Sequence, residues 1–266
     1  MIPKNRVQAA QDFINKISIL KNKATIKREC KAHIAQLQSE ININTLRNYL
    51  THYRTLTNDA FILSVLKISD KQNNVIEAKY KAKIVKQTAS LVRIKDVQKM
   101  LETAAQVMQD KNNVFEVASA LCLLTGRRMV EILKTAKFTG SKINTLTFKG
   151  QAKKSAGGEA YDIPTLTSAQ ECKEALKFIR EKINAKDLEN NEINRKYENS
   201  LNGYSYRLFS AFLGRCSTHD LRKAYASICL DKFKPKNQSD NNYLSNILGH
   251  EAQDINTANS YIYYYV

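Results

Sequence analysis

One stretch decides the fold: Thr125-Gly126-Arg127-Arg128-Met129-Val130-Glu131-Ile132. It follows apolar residues that recur at helical spacing, namely Val114, Val117, Ala118, Leu121 and Leu124. This spacing predicts a helix with an apolar face. The helix is predicted to end at Gly126, because glycine readily adopts the left-handed conformation found at helix C-termini. Two arginines therefore come directly after the end of a core helix.

Downstream of this stretch, short segments supply further residues suited to one kind of chemistry. His219-Asp220-Leu221-Arg222 begins one helical pattern, and Leu248-Gly249-His250 ends another. A lysine follows 25 residues after the second arginine, between two predicted strands, and a tyrosine lies eleven residues after the last histidine. The candidate catalytic residues are therefore Arg128, Lys153, His219, Arg222, His250 and Tyr261.

Arginine, lysine, histidine and tyrosine can together cut a DNA strand by covalent attack and rejoin it. A tyrosine hydroxyl attacks phosphorus, arginines neutralise the charge that develops on the phosphate oxygens, and a lysine protonates the leaving 5′ oxygen. Arginine suits the phosphate because its planar fork donates two parallel hydrogen bonds. A free phenol has a pKa of about 10, so cationic neighbours favour its reaction at neutral pH. This chemistry requires no metal and no cofactor, and we expect neither.

Several of these assignments have competing interpretations. Lys149 and Lys154 lie close to Lys153 in sequence, and each of the three is also suited to an ordinary phosphate contact. His250 follows a glycine that ends a helix, where an imidazole can instead bind the last carbonyls. Arg127 is expected to face solvent or the DNA backbone. The tyrosines near the chain end form an aromatic run, which often packs against a core.

The composition favours a polyanionic partner. The chain has 266 residues, with 42 Lys and Arg against 25 Asp and Glu, which gives a net charge of +17. The excess is concentrated in residues 1–95, which hold 18 basic and 6 acidic residues. Because binding to DNA phosphates releases counterions, this N-terminal third is the better candidate for a phosphate-contacting surface.

Cysteine usage and hydropathy indicate the compartment. The five cysteines are scattered and lack CxxC spacing, which argues against a disulfide framework or a zinc site and favours a reducing compartment. No apolar run approaches the ~20 residues needed to span a bilayer. Residues 1–6 lack a secretory signal pattern. We therefore expect a cytoplasmic chain that contacts no membrane.

The patterning predicts a mainly α protein with a small β-hairpin. Residues 1–92 are expected to form a basic helical domain, with a break over 70–74 and a linker or DNA-facing helix over 79–86. Residues 93–266 are expected to form a catalytic domain. Alternation in 145–148 and 161–163 predicts its hairpin, with a glycine-bearing tip over 150–158. Residues 184–202 are expected to be a loop or an exposed helix.

These motifs, taken in order, resemble those of the tyrosine recombinases, which are site-specific DNA integrases and resolvases. The resemblance covers residues ~95–266. The details are similar to those of the telomere resolvases, or protelomerases, which turn replicated telomere junctions into closed DNA hairpins. Segments 148–153, 221–229 and 257–261 carry this closer likeness. The last of them favours Tyr261 as the nucleophile, with Tyr263 as the alternative.

The resemblance implies a role for each candidate. Arg128 and Arg222 would clamp the scissile phosphate, and His250 would hydrogen-bond to it. Lys153 would protonate the leaving oxygen, and Tyr261 would attack phosphorus to give a 3′-phosphotyrosyl intermediate.

Two further residues match less constant positions of the family. His219 would supply a general base or a phosphate contact, and Glu131 would orient a guanidinium. The implied fold is a tyrosine-recombinase-type catalytic domain plus a helical N-terminal DNA-binding domain, holding opposite faces of the DNA.

The implied partner is double-stranded DNA with an inverted-repeat target, bound by a dimer in which each protomer makes one cut. The free 5′-hydroxyl would attack the phosphotyrosine of the opposite strand and seal a hairpin. The setting would be a bacterial cell, with the protein nucleoid-associated or encoded by a phage or plasmid. A conventional integrase that exchanges strands between two duplexes is one alternative. A non-catalytic DNA-binding relative is another.

Overall fold

A computed structural model of the chain describes residues 4–140, 142–152, 158–249 and 260–266. The helices in chain order are α1 (Lys4–Ser18), α2 (Lys23–Glu40), α3 (Ile43–Thr55), α4 (Ala60–Val65), α5 (Asp70–Ala89), α6 (Val97–Asp110), α7 (Val114–Thr125), α8 (Ala169–Lys182), α9 (Asn190–Leu213), α10 (Thr218–Phe233) and α11 (Asp240–Leu248). A π-helical turn covers Glu131–Thr135. The strands are β1 (Val92–Arg93), β2 (Lys137–Thr139), β3 (Thr145–Lys149), β4 (Tyr161–Pro164) and β5 (Tyr264–Tyr265). No helix in the described part of the chain is long and apolar enough to cross a membrane.

The chain divides into two compact units, Met1–Lys83 and Ile84–Val266. The division falls within α5, whereas the sequence pattern placed the boundary at residues 92 and 93. The strand β1 lies in the second unit, because it pairs in parallel with β5 through Val92 and Tyr264.

The N-terminal unit is helical, and short polar residues fix where its helices begin. The side chains of Asn22, Asn42 and Asp59 each accept hydrogen bonds from main-chain N–H groups at the start of α2, α3 and α4. Such caps satisfy donors that the first helical turn leaves unpaired. The helices bury a shared core that includes Leu46 and Leu50.

The expected break over residues 70–74 is wrong, because α5 begins there. Ser69 and Gln72 form a reciprocal cap: Ser69 N donates to Gln72 Oε1 at 3.0 Å, and Gln72 N donates to Ser69 Oγ at 3.2 Å. This capping box starts the helix inside a run that looks like a turn. Residues 79–86, predicted as a linker or a helix, are helical, and none of the described α5 residues 70–89 is buried.

The C-terminal unit is built around α7, as the apolar stripe predicts. Residues 117–125 of α7 are all buried, and α7 packs against α6, α8, α9 and α10. Asn113 caps its start, and Gly126 ends it with φ of +65°. A side chain at Gly126 would also collide with the Tyr225 ring, since an added Cβ would lie 2.2 Å from Tyr225 Cδ1. The fold therefore requires glycine immediately before the two arginines.

The predicted hairpin is confirmed and has an additional strand. β3 pairs antiparallel with β4 through Leu146 and Ile163, and β2 pairs with the other edge of β3 through Phe138 and Phe148. β2 escaped prediction because Phe138 is the one large apolar residue in its three positions. Residues 184–202, predicted as a loop or an exposed helix, contain the whole first half of α9.

Candidate active site

The Arg128 guanidinium is oriented by an acidic side chain three residues later. Arg128 Nη1 donates to Glu131 Oε1 at 2.7 Å, and Arg128 N donates to Glu131 Oε2 at 2.8 Å. The Glu131 side chain is fully buried, whereas 20% of the Arg128 side chain is exposed. The expected contact between these two residues is confirmed, and Arg128 keeps one side open to solvent.

Glu131 is an ionised carboxylate among three arginines. Burial alone would raise its pKa, but the charges of Arg222, Arg127 and Arg128 hold the pKa below its ordinary value. The main-chain N–H of Ala152 also donates to Glu131 Oε1, at 3.3 Å. The carboxylate offsets the mutual repulsion of the arginines, which would otherwise be costly in the core.

Arg222 joins the ends of two helices from its place on α10. Its side chain is 1% exposed. Arg222 Nη1 donates to the Gly126 carbonyl, and Nη2 donates to the Leu248 carbonyl at 2.8 Å. The buried Nε has no hydrogen-bond partner among the described residues. Such an unsatisfied donor on a cation is costly unless a ligand accepts from it.

Tyr261 lies against both arginines of the predicted phosphate clamp. Its ring centroid is 5.3 Å from the Arg222 guanidinium carbon, and the residue is 4% exposed. Burial alone would raise the phenol pKa. The charges of Arg222 and Arg128, with a hydrogen bond from each guanidinium, instead lower the Tyr261 pKa below its ordinary value. The arginines therefore favour the phenolate.

The backbone on both sides of Tyr261 is held by one amide. Gln87 Nε2 donates to the Ser260 carbonyl at 3.0 Å and to the Ile262 carbonyl at 3.2 Å. Three residues further on, Tyr264 is buried and pairs with β1. The Gln87 amide and the β1–β5 pairing together fix the segment that carries Tyr261.

The neighbouring tyrosines have different surroundings. The Tyr263 ring lies 4.7 Å from Lys223 Nζ and stacks edge-on against Tyr264 at 4.8 Å. Tyr265 is 47% exposed. Of the residues in this aromatic run, Tyr261 is the one that contacts Arg222 and Arg128.

His219 completes the group at the start of α10. Its ring centroid is 5.5 Å from that of Tyr261. Burial of the imidazole is the main cause that lowers the His219 pKa to about 4, and the charges of Lys223 and Arg222 lower the pKa further toward that value. His219 is therefore neutral near pH 7 and has a lone pair available to accept a proton.

The expectation that Arg127 faces solvent or DNA is wrong. Arg127 is completely buried, and its guanidinium lies 4.6 Å from the Phe148 ring centroid. It donates to the Thr125 carbonyl at 3.0 Å, to the Tyr161 hydroxyl at 2.5 Å and to the Ile247 carbonyl at 2.6 Å. Arg127 therefore ties the end of α7 to β4 and to the end of α11.

Arg128, Arg222 and His219 line a cavity of about 260 Å³. A polar face of α9, formed by Asn190, Asn194 and Glu198, also lines this cavity. The sequence pattern did not reveal this face, although its spacing of four residues is a usable signal, because residues 184–202 are polar enough to suggest a loop or an exposed helix. The cavity is therefore lined by cationic side chains and by polar side chains of α9.

Lys153 and His250 lie outside the described residues, as do Lys154 and most of the 257–261 segment. One of their described neighbours lies at the cavity. Ala152 lines it directly. Gly249 ends α11 with φ of +69° and packs closely on Tyr161 and Gln151. Among the described residues, no cluster of three His, Cys, Asp or Glu side chains is arranged to hold a metal.

Residues 90–264 match the family model described as the telomere resolvase ResT/TelK catalytic domain. The chain belongs to this family. The matched region of this telomere resolvase includes every candidate catalytic residue. No curated protein matches the sequence.

The fold of this telomere resolvase is similar to that of solved protelomerases. One structure, protelomerase TelA covalently complexed with substrate DNA, matches with a TM-score of 0.87 and 22% identity, over 99% of this chain and 89% of that chain. A TelA mutant complexed with DNA hairpin product matches equally well over 98% of this chain. Protelomerase TelK complexed with substrate DNA matches with a TM-score of 0.59 and 22% identity, over 98% of this chain and 58% of that chain. The predicted mainly α, tyrosine-recombinase-type fold is confirmed.

Proposed function

We propose that this chain cuts and rejoins double-stranded DNA through a 3′-phosphotyrosyl intermediate and forms closed hairpin telomeres from an inverted-repeat target. One observation carries the proposal: Tyr261 lies on Arg128 and Arg222, with His219 against its ring. This arrangement supplies a nucleophile, charge neutralisation and a proton acceptor in one place. Membership of the telomere resolvase family, and the similar TelA structure that holds a DNA hairpin product, support the hairpin outcome.

The first step is attack by the Tyr261 oxygen on the scissile phosphorus. An oxygen–phosphorus bond forms, and the bond from phosphorus to the 5′ oxygen of the next nucleotide breaks. Arg128 and the buried Arg222 neutralise the charge that builds on the non-bridging oxygens. Without DNA the tyrosine hydroxyl accepts hydrogen bonds from these same guanidiniums. The incoming phosphate takes over those donors and leaves the hydroxyl facing phosphorus.

By motif, Lys153 completes this first step by protonating the leaving 5′ oxygen, and His250 hydrogen-bonds to the phosphate. The second step reverses the first on a different strand. The 5′-hydroxyl attacks the phosphotyrosine of the opposite strand and returns its proton to Lys153, while the Tyr261 oxygen leaves and regains its proton from His219. Each protomer makes one cut, so a dimer on an inverted repeat seals two hairpin ends.

The DNA partner is consistent with the charge of the N-terminal unit. Three exposed lysines of this unit lie on α5, which has no buried residue, and a fourth follows on the same helix beyond the division: Lys79, Lys81 and Lys83, then Lys86. Phosphate contacts of this kind give affinity that falls steeply with salt and carry no sequence information themselves. We place the protein in the cytoplasm of a bacterial cell, with its DNA substrate.

We expect His219 to accept the Tyr261 proton, which gives a pH signature. Because the His219 pKa is about 4, the base is already unprotonated throughout the neutral range, and the cleavage rate should be level from pH ~5 to ~7. In His219→Gln the rate should fall about 10²-fold and rise with pH, since hydroxide must then remove the proton. Single-turnover rates of adduct formation measure this. A level profile in His219→Gln would rule out His219 as the base.

The product distinguishes the proposed function from its alternatives. A pool of duplexes with randomised inverted-repeat arms is first selected for covalent retention by the protein. Selected duplexes are then incubated with it and analysed on denaturing gels. We expect covalently closed ends that resist exonucleases and renature at once. Four-way junctions would indicate strand exchange between duplexes, and a selection that retains no DNA would indicate a non-catalytic binding protein.

A further inference from the structure

Arg180, on the last turn of α8, binds the carbonyl groups of the π-helical turn that follows the Arg128 segment. Its Nε donates to the Ile132 carbonyl at 2.6 Å, and Nη1 donates to the Lys134 carbonyl at 2.5 Å. Its Nη2 donates to the carbonyls of Glu131 and Ala136, at 2.9 Å and 3.4 Å. One side chain therefore donates hydrogen bonds to four main-chain carbonyls within residues 131–136.

These carbonyls need a donor because of how the turn closes. Ala136 N donates to the Glu131 carbonyl at 2.7 Å, which spans five residues and makes the turn wider than an α-helix. Such π-helical turns are rare, usually last a single turn, and are frequent at functional sites. With no further helical turn after it, the carbonyls that follow Glu131 lack the partners that a continuing helix would supply.

The turn leads directly to the cavity. Glu131 is the first residue of the turn, and its carboxylate holds both Arg128 N and Arg128 Nη1. Arg180 holds the main-chain carbonyl of the same Glu131. A chain of contacts thus runs from Arg180 through Glu131 to the guanidinium that lines the cavity.

Only arginine can make this set of contacts. Its planar fork presents five N–H donors in a fixed geometry, whereas lysine offers three donors on one atom. Arg180 makes no ion pair with a carboxylate in the described part of the chain. Its burial lowers the pKa of the guanidinium to about 10, which shows that the protein disfavours the charge at this position. A half-buried cation without an acidic partner is costly, so the fold retains it for its hydrogen bonds.

We propose that Arg180 is a positioning residue for DNA strand cleavage, because its hydrogen bonds to residues 131–136 hold Glu131 where it orients Arg128 toward the scissile phosphate. Arg180 does not touch the DNA in this account. The inference rests on the proposed function, in which Arg128 stabilises the transition state.

Variants of Arg180 provide the first part of the test. Arg180→Met removes the fork, and Arg180→Lys keeps the charge but not the geometry. Lys177→Met is the matched control, because Lys177 lies on the same helix with an exposed side chain. We expect Arg180→Met to slow single-turnover adduct formation about 100-fold, as small misplacements of a catalytic group do. DNA binding and the control variant should be unchanged.

A double-mutant cycle separates positioning from a general structural loss. Arg128→Lys is combined with Arg180→Met, or with Arg180→Lys if the methionine variant does not fold by circular dichroism. Because Arg180 acts through Arg128, its substitution should have little further effect on the rate in the Arg128→Lys background. Rate losses that multiply in the double variant, or an Arg180 variant with the parental rate, would overturn the inference. Absence of adduct from the parent protein would instead be a failure of the proposed function.

Discussion

We expect Tyr261→Phe to abolish the covalent protein–DNA adduct and Tyr263→Phe to retain it. Removing one oxygen atom removes the nucleophile and leaves the ring packing in place, so the fold and DNA binding should be preserved. The structure gives Tyr261 two guanidinium contacts that lower its pKa, whereas the Tyr263 ring faces Lys223 and Tyr264. A nicked suicide substrate, which traps the cleaved state, measures the adduct on a denaturing gel.

Two controls make this comparison specific. Tyr265→Phe tests an exposed member of the same aromatic run, and we expect it to form adduct at the parental rate. Thermal unfolding of each variant without DNA should give a similar Tm. If Tyr261→Phe still forms adduct while Tyr263→Phe does not, the nucleophile is Tyr263 and the assignment is wrong.

Arg222→Lys should lower the cleavage rate about 10³-fold, with little change in DNA affinity. Lysine keeps the charge but cannot donate to the Gly126 and Leu248 carbonyls while also facing the phosphate. The loss should therefore appear in the chemical step. Affinity should change little because most of it comes from many phosphate contacts elsewhere.

Single-turnover adduct formation and a fluorescence-anisotropy titration measure the two effects separately. Arg215→Lys is the matched control, since the Arg215 side chain is 75% exposed in the turn just before α10. We expect the control to behave like the parent. An Arg222→Lys variant with the parental cleavage rate would show that the buried guanidinium is not part of the phosphate clamp.

The sequence predicts the principal site residues because each belongs to a segment of several characteristic residues. The segment 219–222 places Arg222 on the buried side of α10, and the segment at 125–132 places Arg128 beside Glu131. Contacts with Arg222 and Arg128 distinguish Tyr261 from Tyr263 as the candidate nucleophile. Sequence composition alone cannot indicate these contacts. The assignments of Lys153 and His250 stay predictions, because both lie outside the described residues.

The sequence misleads where the position of a side chain is decided by contacts with residues far away in the chain. Arg127 and Arg128 are adjacent and chemically alike, so nothing local indicates that Arg127 is the buried one. Its partners Tyr161 and Ile247 lie on elements far along the chain. Arg180 was missed for the same reason, since a basic residue in a last helical turn normally has a local explanation.

Local capping explains the remaining error in the fold. Residues 70–74 are polar enough to suggest a loop, yet the Ser69–Gln72 cap starts α5 in that position. A polar composition indicates that a segment is exposed to solvent, and an exposed helix can have this composition as readily as a loop can.

The most direct test of the account is to identify the residue and the DNA end that become linked. The adduct is trimmed with nuclease and digested with trypsin, and the peptide covering residues 237–266 is fragmented by mass spectrometry. The account predicts a 3′-phosphonucleotide on Tyr261, with a free 5′-hydroxyl on the released strand that a kinase labels without prior phosphatase treatment. Linkage at Tyr263, or to a 5′ phosphate, would contradict it.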